Sequence, residues 1–403
     1  MEVEETGTPS EYLLPNYVIG IGGGPASGKT TLALFLNCII LKSVELFNPD
    51  HSYRNPSRGR PPSVAVINQD KYSWPNSHRD NIYSWFTGPK SQQNEEALLS
   101  QATFRPLYPD DSKVCQVDEH PVNKDSLPTP EYDRIECFNI NSMASRISGW
   151  SLDSRSRNPE AELRSLTNDL RGESPADSTD AYKILGKAVK LFTSTLAKVL
   201  VINEHKLSSP SVRENVSLDV GSSLPSDESV VSIRRRFTII EGSSLLARNS
   251  GPVAQVQGNP RPPDILQDEV EAQRGLQGIQ DRLDVQLFLN VELEEASQRR
   301  FSMVSYRDPP RGTRQPGELW KSRGYLEQIA WPLFRQYHAH ILKEIPATTE
   351  EGDAGTSHPW DLDITVGNVH VKPQSVKTLE ETVLWAAKHV AIALATRLLN
   401  PPP

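Results

Sequence analysis

Short apolar runs and long polar stretches alternate along most of the chain. Tyr17-Val18-Ile19-Gly20-Ile21, Val64-Ala65-Val66-Ile67 and Phe237-Thr238-Ile239-Ile240 are brief and β-rich, and Val285–Val291 and Leu362–Val366 add two more candidate strands. Apolar residues recur at helical spacing elsewhere. Thr31–Lys42 carries leucines, Phe35 and isoleucines on such spacing, and Asp133–Trp150 places Ile135, Phe138, Met143 and Ile147 inward. Ala181–Val201 repeats Leu185, Val189, Phe192, Leu196 and Leu200. Leu293–Met303, Tyr325–Ile345 (interrupted by Pro332) and a closing Val376–Leu399 complete the helices. Strands that are apolar throughout belong in a sheet covered on both faces. Their alternation with helices predicts the α/β class with a mostly parallel sheet and no internal repeat.

The polar stretches set the domain organisation. Residues 1–16 are expected to be a disordered tail, and 17–403 a single domain with irregular insertions at about 71–102, 151–180, 205–232 and 249–275. An apolar content of 36 % and 32 prolines in 403 residues fit one core plus long loops better than two full domains. The formal net charge of -8 argues against a general binder of phosphodiester backbones, so no nucleic-acid partner is expected. Cys38, Cys115 and Cys137 lie far apart without metal-ligand spacing, which points to a reducing compartment and a core-packing role for Cys38. The acidic N-terminus lacks the order of a signal peptide, and no stretch of about 18 residues reads as apolar enough to span a bilayer. A soluble, cytoplasmic protein without a membrane partner is the expectation, and the sequence does not separate cytosol from nucleus.

The chemistry is concentrated where the first strand meets the first helix. Gly23-Gly24-Pro25-Ala26-Ser27-Gly28-Lys29-Thr30 matches the Walker A pattern in full, with Thr31 continuing the stretch expected to bind ATP. Glycine lets the backbone approach phosphates closely, and the amides and positive helix end face them. Lys29 is expected to reach the β- and γ-phosphates, and the Thr30 hydroxyl to bind Mg2+. Two further strands end in acid: Asp70 after Val64–Ile67, and Glu241 after Phe237–Ile240. Parallel sheets bind ligands beyond the carboxyl ends of their strands, so both carboxylates are candidates for the metal or for proton transfer. The competing reading of each is a turn carboxylate capping a loop. Arg299 and Arg300, on the helix after a strand, could close over a transferred phosphoryl group; alone they would read as a solvated helix face. Arg234-Arg235-Arg236 reads as a solvated strand flank. His338 and His340 stand two apart on a helix and so point different ways, which argues against a metal site.

Taken in order, Gly23–Thr30, Val66-Ile67-Asn68-Gln69-Asp70, Tyr132-Asp133, Ile239-Ile240-Glu241-Gly242 and Gly324-Tyr325-Leu326-Glu327-Gln328-Ile329-Ala330-Trp331-Pro332 resemble the nicotinamide riboside kinases. These are relatives of the uridine kinases, and the resemblance spans about residues 17–345. It implies a three-layer α/β/α P-loop NTPase fold of the nucleoside kinase type, and transfer from ATP, with Mg2+, to the ribose 5′-hydroxyl of nicotinamide riboside. Nicotinic acid riboside or uridine are alternative acceptors. Carried over by position, Asp70 is the catalytic base beside magnesium, Asp133 holds the ribose hydroxyls with Tyr132 next to the nucleoside, Glu241 joins the metal and substrate shell, and Arg299 and Arg300 form a lid over ATP. The chain departs from the family pattern in three places. Gln69-Asp70 runs into Lys71-Tyr72-Ser73-Trp74, and a similar continuation appears only at Thr103-Phe104-Arg105-Pro106 and Asp110–Val114, so about 71–102 look inserted in a substrate loop. Met303 stands where the family often has another lid arginine, and the insertions at about 151–180 and 205–232 exceed what a minimal kinase needs. A pantothenate kinase-like enzyme fits Asp133 and Trp331-Pro332 less well. A nucleotide-binding protein that has lost transfer is the reading from a different class.

Overall fold

The computed structural model describes residues 16–47, 63–72, 138–148, 161, 163, 178–202, 216–219, 230–233, 236–248, 263–302, 326–345 and 358–400. Strand β1 (Asn16–Gly23) runs into helix α1 (Lys29–Phe47), followed by β2 (Ser63–Asn68) and a 3-10 turn at Gln69–Tyr72. Helices α2 (Ile140–Ser148) and α3 (Ser178–Ile202) precede β3 (Val216–Asp219), β4 (Val230–Ile233) and β5 (Arg236–Glu241). Then come α4 (Pro263–Gln280), β6 (Val285–Leu289) and α5 (Leu293–Ser302), and a π-helical turn at Leu326–Ala330 leading into α6 (Trp331–Tyr337) and α7 (Ala339–Leu342). The chain closes with β7 (Ile364–Val366), β8 (Val369–Val371) and α8 (Leu379–Leu399).

Six strands form one sheet in the order β2-β5-β1-β6-β8-β7, parallel throughout except for β7 at the edge. The fold is therefore α/β with a mostly parallel sheet. The registers explain why its strands are apolar at nearly every position. Ile19 pairs with Ile239 and Val285, and Val66 also pairs with Ile239, so alternate residues of adjacent strands stack on a common face. Tyr17, Ile19, Ile21, Phe237, Ile239, Leu287 and Leu289 join one core with α1, α3 and α8. Val18, Ile67, Ile240, Phe288, Val369 and Val371 join a second core with α2, α4 and α6. Each core removes apolar area from water on its own side, and losing one of its leucines to alanine costs about 2–5 kcal/mol.

Helix α8 shows how sequence sets an element boundary. Thr378 accepts a hydrogen bond from the Glu381 amide (3.1 Å), and the Glu381 carboxylate accepts from the Thr378 amide (2.9 Å). This reciprocal cap satisfies two amides that helix geometry leaves without partners, and is worth about 1 kcal/mol.

Several expectations are corrected. The stretch at 249–275 contains most of α4, whose glycines Gly275 and Gly278 lower helix propensity; Gly275 serves packing, since a Cβ there would lie 2.9 Å from Ile140, whereas Gly278 faces open space. The polar stretch at 205–232 holds the β3–β4 antiparallel pair. Within 151–180, Leu163 is buried in the first core, and α3 begins at Ser178. Lys71 and Tyr72, expected to be irregular, belong to the 3-10 turn; Tyr72 packs on the second core, and its carbonyl accepts from the Asn139 amide (2.7 Å). Asn16 is already in β1, and α2 is shorter than Asp133–Trp150, although Phe138, Met143 and Ile147 are buried as expected. Near Pro332 the helix changes from the π-helical turn to α6, with the proline in the first turn of α6, and a further break falls at His338. The single expected strand near 362–366 is a hairpin, turned by Gly367 at φ +60. Finally, α8 is long and apolar enough by composition to cross a membrane, with a mean hydropathy of 1.3, but 67 % of that window is buried within the fold. Its apolar residues pack on α3, as a core helix requires.

Candidate functional site

Five segments meet at the carboxyl edge of the sheet, because every strand but β7 points the same way. The loop after β1 is the centre. Gly23 and Gly28 hold φ of +146 and +94, backbone that a side chain strains, and Ala26 takes φ +55 without being glycine. The Ser27 amide donates to the Gly24 carbonyl (3.2 Å), closing the loop. The Lys29 ammonium folds back and donates to the carbonyls of Gly23 (3.1 Å) and Gly24 (2.8 Å). Pro25 is buried, whereas Thr30 is exposed and Thr31 half-buried at the start of α1.

The acids stand beside this loop. Thr30 Oγ1 donates to Glu241 Oε1 at 2.9 Å. Glu241 is only 3 % exposed. Burial raises its pKa; the Lys29 charge opposes that shift, and the Asp70 charge reinforces it. Asp70 is exposed on the 3-10 turn after β2, its amide accepted by Asn68 Oδ1 (2.7 Å). β2 and β5 pair Asn68 with Glu241, which sets the two strand ends level.

A latch holds these strand ends together. Gln69 is fully buried, and its Oε1 accepts from the Ser244 amide (3.1 Å). A Cβ on Gly242 would lie 1.9 Å from that same oxygen. The pairing of Gln69-Asp70 with Glu241-Gly242 thus has a packing cause. Glutamine fills the space that glycine leaves open, and the acids on either side end up near enough for Asp70 to act on the Glu241 charge. The glycine after Glu241 and the polar residue before Asp70 are the sequence signals for it.

The two arginines separate. Arg299 Nη1 donates to the Ser27 carbonyl (3.3 Å), and Nη2 pairs with Glu295 one turn back (2.5 Å). Arg300 shares the inward face of α5 with Ala296 and Ser297 and is buried. Arg299 thus reaches the glycine loop through a hydrogen bond. Arg236, the described member of the arginine triplet, lies half-buried in β5.

Behind the loop stands an aromatic wall. A Cβ on Gly24 would lie 3.0 Å from the Trp331 ring and 3.3 Å from Phe334. Phe334 stacks on Phe288 with ring centroids 5.9 Å apart, and His338 leans on both rings. His338 Nδ1 donates to the Phe334 carbonyl (2.9 Å), and burial lowers the His338 pKa to about 3, so this ring is a neutral core group. The His338 and His340 rings lie 6.5 Å apart.

Sequence reasoning passed over Lys372. It follows β8 at the same sheet edge and is buried, with Nζ donating to the Val376 carbonyl (2.6 Å). Burial lowers its pKa to about 8; Glu295 opposes that shift and Arg299 adds to it, which places the ammonium beside the same α5 pair. Its signal, a lysine at a strand end, was hidden because β8 has three residues. Tyr132, Asp133, Met303, Cys115 and Cys137 lie outside the described residues, as do Gly324 and Tyr325. Cys38 is buried in the first core.

Comparison with family models finds no match for this chain, and comparison with curated proteins finds none either.

Proposed function

We propose that this chain has a P-loop NTPase fold of the nucleoside kinase type, and that it transfers the γ-phosphoryl group of ATP to the ribose 5′-hydroxyl of nicotinamide riboside. Nicotinic acid riboside is the second acceptor in this reading. The observation that carries it is the junction of Lys29, Thr30 and Glu241 under a loop that Arg299 touches. The acceptor rests on the resemblance of the ordered motifs to riboside kinases, with Tyr132 and Asp133 as the ribose-binding pair.

The residues suit magnesium. Thr30 Oγ1 and Glu241 Oε1 are neighbouring oxygen donors, Asp70 is close enough to act on the Glu241 charge, and hard oxygen donors are what this ion takes. When bound, Mg2+ neutralises charge on the β- and γ-phosphates. Lys29 exchanges its loop carbonyls for phosphate oxygens, a stronger, charge-assisted set of hydrogen bonds. The loop amides and the α1 N-terminus hold the phosphates in place. Asp70 orients the 5′-hydroxyl and accepts its proton, and Arg299 offsets charge on the transferred group.

Lys29→Ala and Asp70→Ala test this reading. Each is expected to lower riboside-dependent ADP release by about 100-fold or more while leaving the circular dichroism spectrum unchanged. Full turnover in either purified variant refutes the assignment. Unaltered ATP binding with no acceptor-dependent ADP release in the parent chain would instead mark a nucleotide-binding protein without transfer.

A further inference from the structure

A second cluster lies away from the glycine loop, where the β7–β8 hairpin rests on α8. Asp363 precedes β7, His370 is the middle residue of β8, and His389 is in α8. Their ligand atoms all lie within 4.8 Å of one another. His370 Nδ1 stands 3.4 Å from Asp363 Oδ1, and His389 Nδ1 stands 4.0 Å from the same oxygen. The two imidazole rings are 4.5 Å apart.

Hydrogen bonding accounts for only part of this convergence. His370 Nδ1 makes long contacts of 3.4 Å to Asp363 Oδ1 and to Thr365 Oγ1, whereas His389 Nδ1, at 4.0 Å from Asp363 Oδ1, is beyond hydrogen-bond reach. The 3.4 Å separation is also that of atoms sharing one ion, since metal bonds of about 2.0–2.1 Å put two tetrahedral ligand atoms about 3.3 Å apart, and His389 would draw closer on binding. The β7–β8 hairpin brings Asp363 and His370 together, and His389 joins them from α8, which is distant in sequence. His389 is 4 % exposed, and its Nε2 finds no partner among the described residues, which leaves Nδ1 as the polar contact of a buried ring. Asp363 is exposed and gives an ion a route in from solvent. Thr365 Oγ1 donates to Asp363 Oδ1 (2.8 Å), and that outer bond orients the carboxylate.

The geometry points to a site for a borderline transition-metal ion of the Zn2+ class, held by Asp363, His370 and His389, with its remaining position open to water. Two imidazoles and one carboxylate suit such ions and not Mg2+, which takes oxygen donors. The ion would fasten three-residue strands at the sheet edge onto α8. That edge carries Lys372, two residues beyond His370, so the same fastening would steady the turn beside Arg299.

The test uses the full chain, stripped with a chelator and titrated with Co2+ in the absence of nucleotide. The expected result is one bound equivalent with the visible absorption of a low-coordinate nitrogen-ligated ion, displaced by Zn2+ and not by Mg2+. Zn2+ in about 100-fold excess over its Kd should raise the Tm by about 3 °C. His370→Asn and Asp363→Asn, both at accessible positions, should each abolish the absorption and the Tm shift while retaining the circular dichroism spectrum. His389→Asn is less informative because a buried ring is lost. Absence of saturable Co2+ binding overturns the proposal, as does a full equivalent with unchanged absorption in both H370N and D363N.

Discussion

Single residues divide here by what their side chains touch, and the two adjacent arginines show it best. Arg299 meets the Ser27 carbonyl, whereas Arg300 is buried with Ala296 and Ser297. Sequence alone made them equivalent lid candidates, because both stand near the end of one helix. The fold makes them different experiments. If the proposed transfer is right, Arg299→Ala should lower turnover by about 100-fold with little change in Tm, since a half-buried arginine at the glycine loop would stabilise charge in transfer more than it stabilises the fold. Arg300→Ala should cost about 1–3 kcal/mol of stability, read from denaturant midpoints, because it empties a buried position. Equal stability losses in the two variants would mean that Arg299 is only a packing residue. Glu241 illustrates the same division. Its buried carboxylate is held between a favourable ammonium and an unfavourable neighbour, Asp70, an arrangement that a cation entering the site would relieve.

At the scale of elements, the legible parts were those whose signal is local. Gly23–Thr30 is contiguous, so its pattern survives without any knowledge of the fold. Asp70 and Glu241 were readable because each ends an apolar run, and parallel strands put such ends on one edge. The β7–β8 hairpin was half missed, since three residues are too few to show a period. Helix α4 was missed because its inward positions are few and glycine occupies Gly275, where the close approach of Ile140 requires it. The Asp363, His370 and His389 cluster left no sequence signal, because its members come together only when α8 packs on the hairpin. The latch between the β2 and β5 ends gives a prediction at this scale. Gly242→Ala drives a methyl group into Gln69 and should cost about 1–3 kcal/mol together with most of the activity, since the turn carrying Asp70 must move. In a double-mutant cycle with Gln69→Ala, the two changes should be strongly non-additive, because removing the glutamine removes the clash. Additive losses would show that Gly242 and Gln69 do not share this role.

For the whole molecule, two cores on opposite faces of one sheet make stability and site geometry interdependent, and pH offers a way to read this. His338 belongs to the core behind the glycine loop. Burial lowers its pKa to about 3 from an ordinary 6.5, partly offset by its bond to the Phe334 carbonyl, with His340 and Lys29 pushing it further down. The unfolded chain therefore takes up this proton first as pH falls. The contribution is fully present above about pH 6.5 and declines as pH drops toward 3, by about 1.4 kcal/mol per pH unit. The urea midpoint should accordingly fall between about pH 6.5 and pH 5, and His338→Phe, which has nothing to protonate, should flatten that slope. An unchanged slope in the variant would place the acid sensitivity elsewhere. The central claim concerns transfer to a riboside, and one measurement addresses it directly: ADP release by the purified full chain with Mg2+ and ATP, with and without nicotinamide riboside, nicotinic acid riboside or uridine. Release should depend on nicotinamide riboside, exceed that with uridine, and persist or rise in a chain lacking residues 71–102. Bound ATP with no riboside-dependent release in either chain would contradict it.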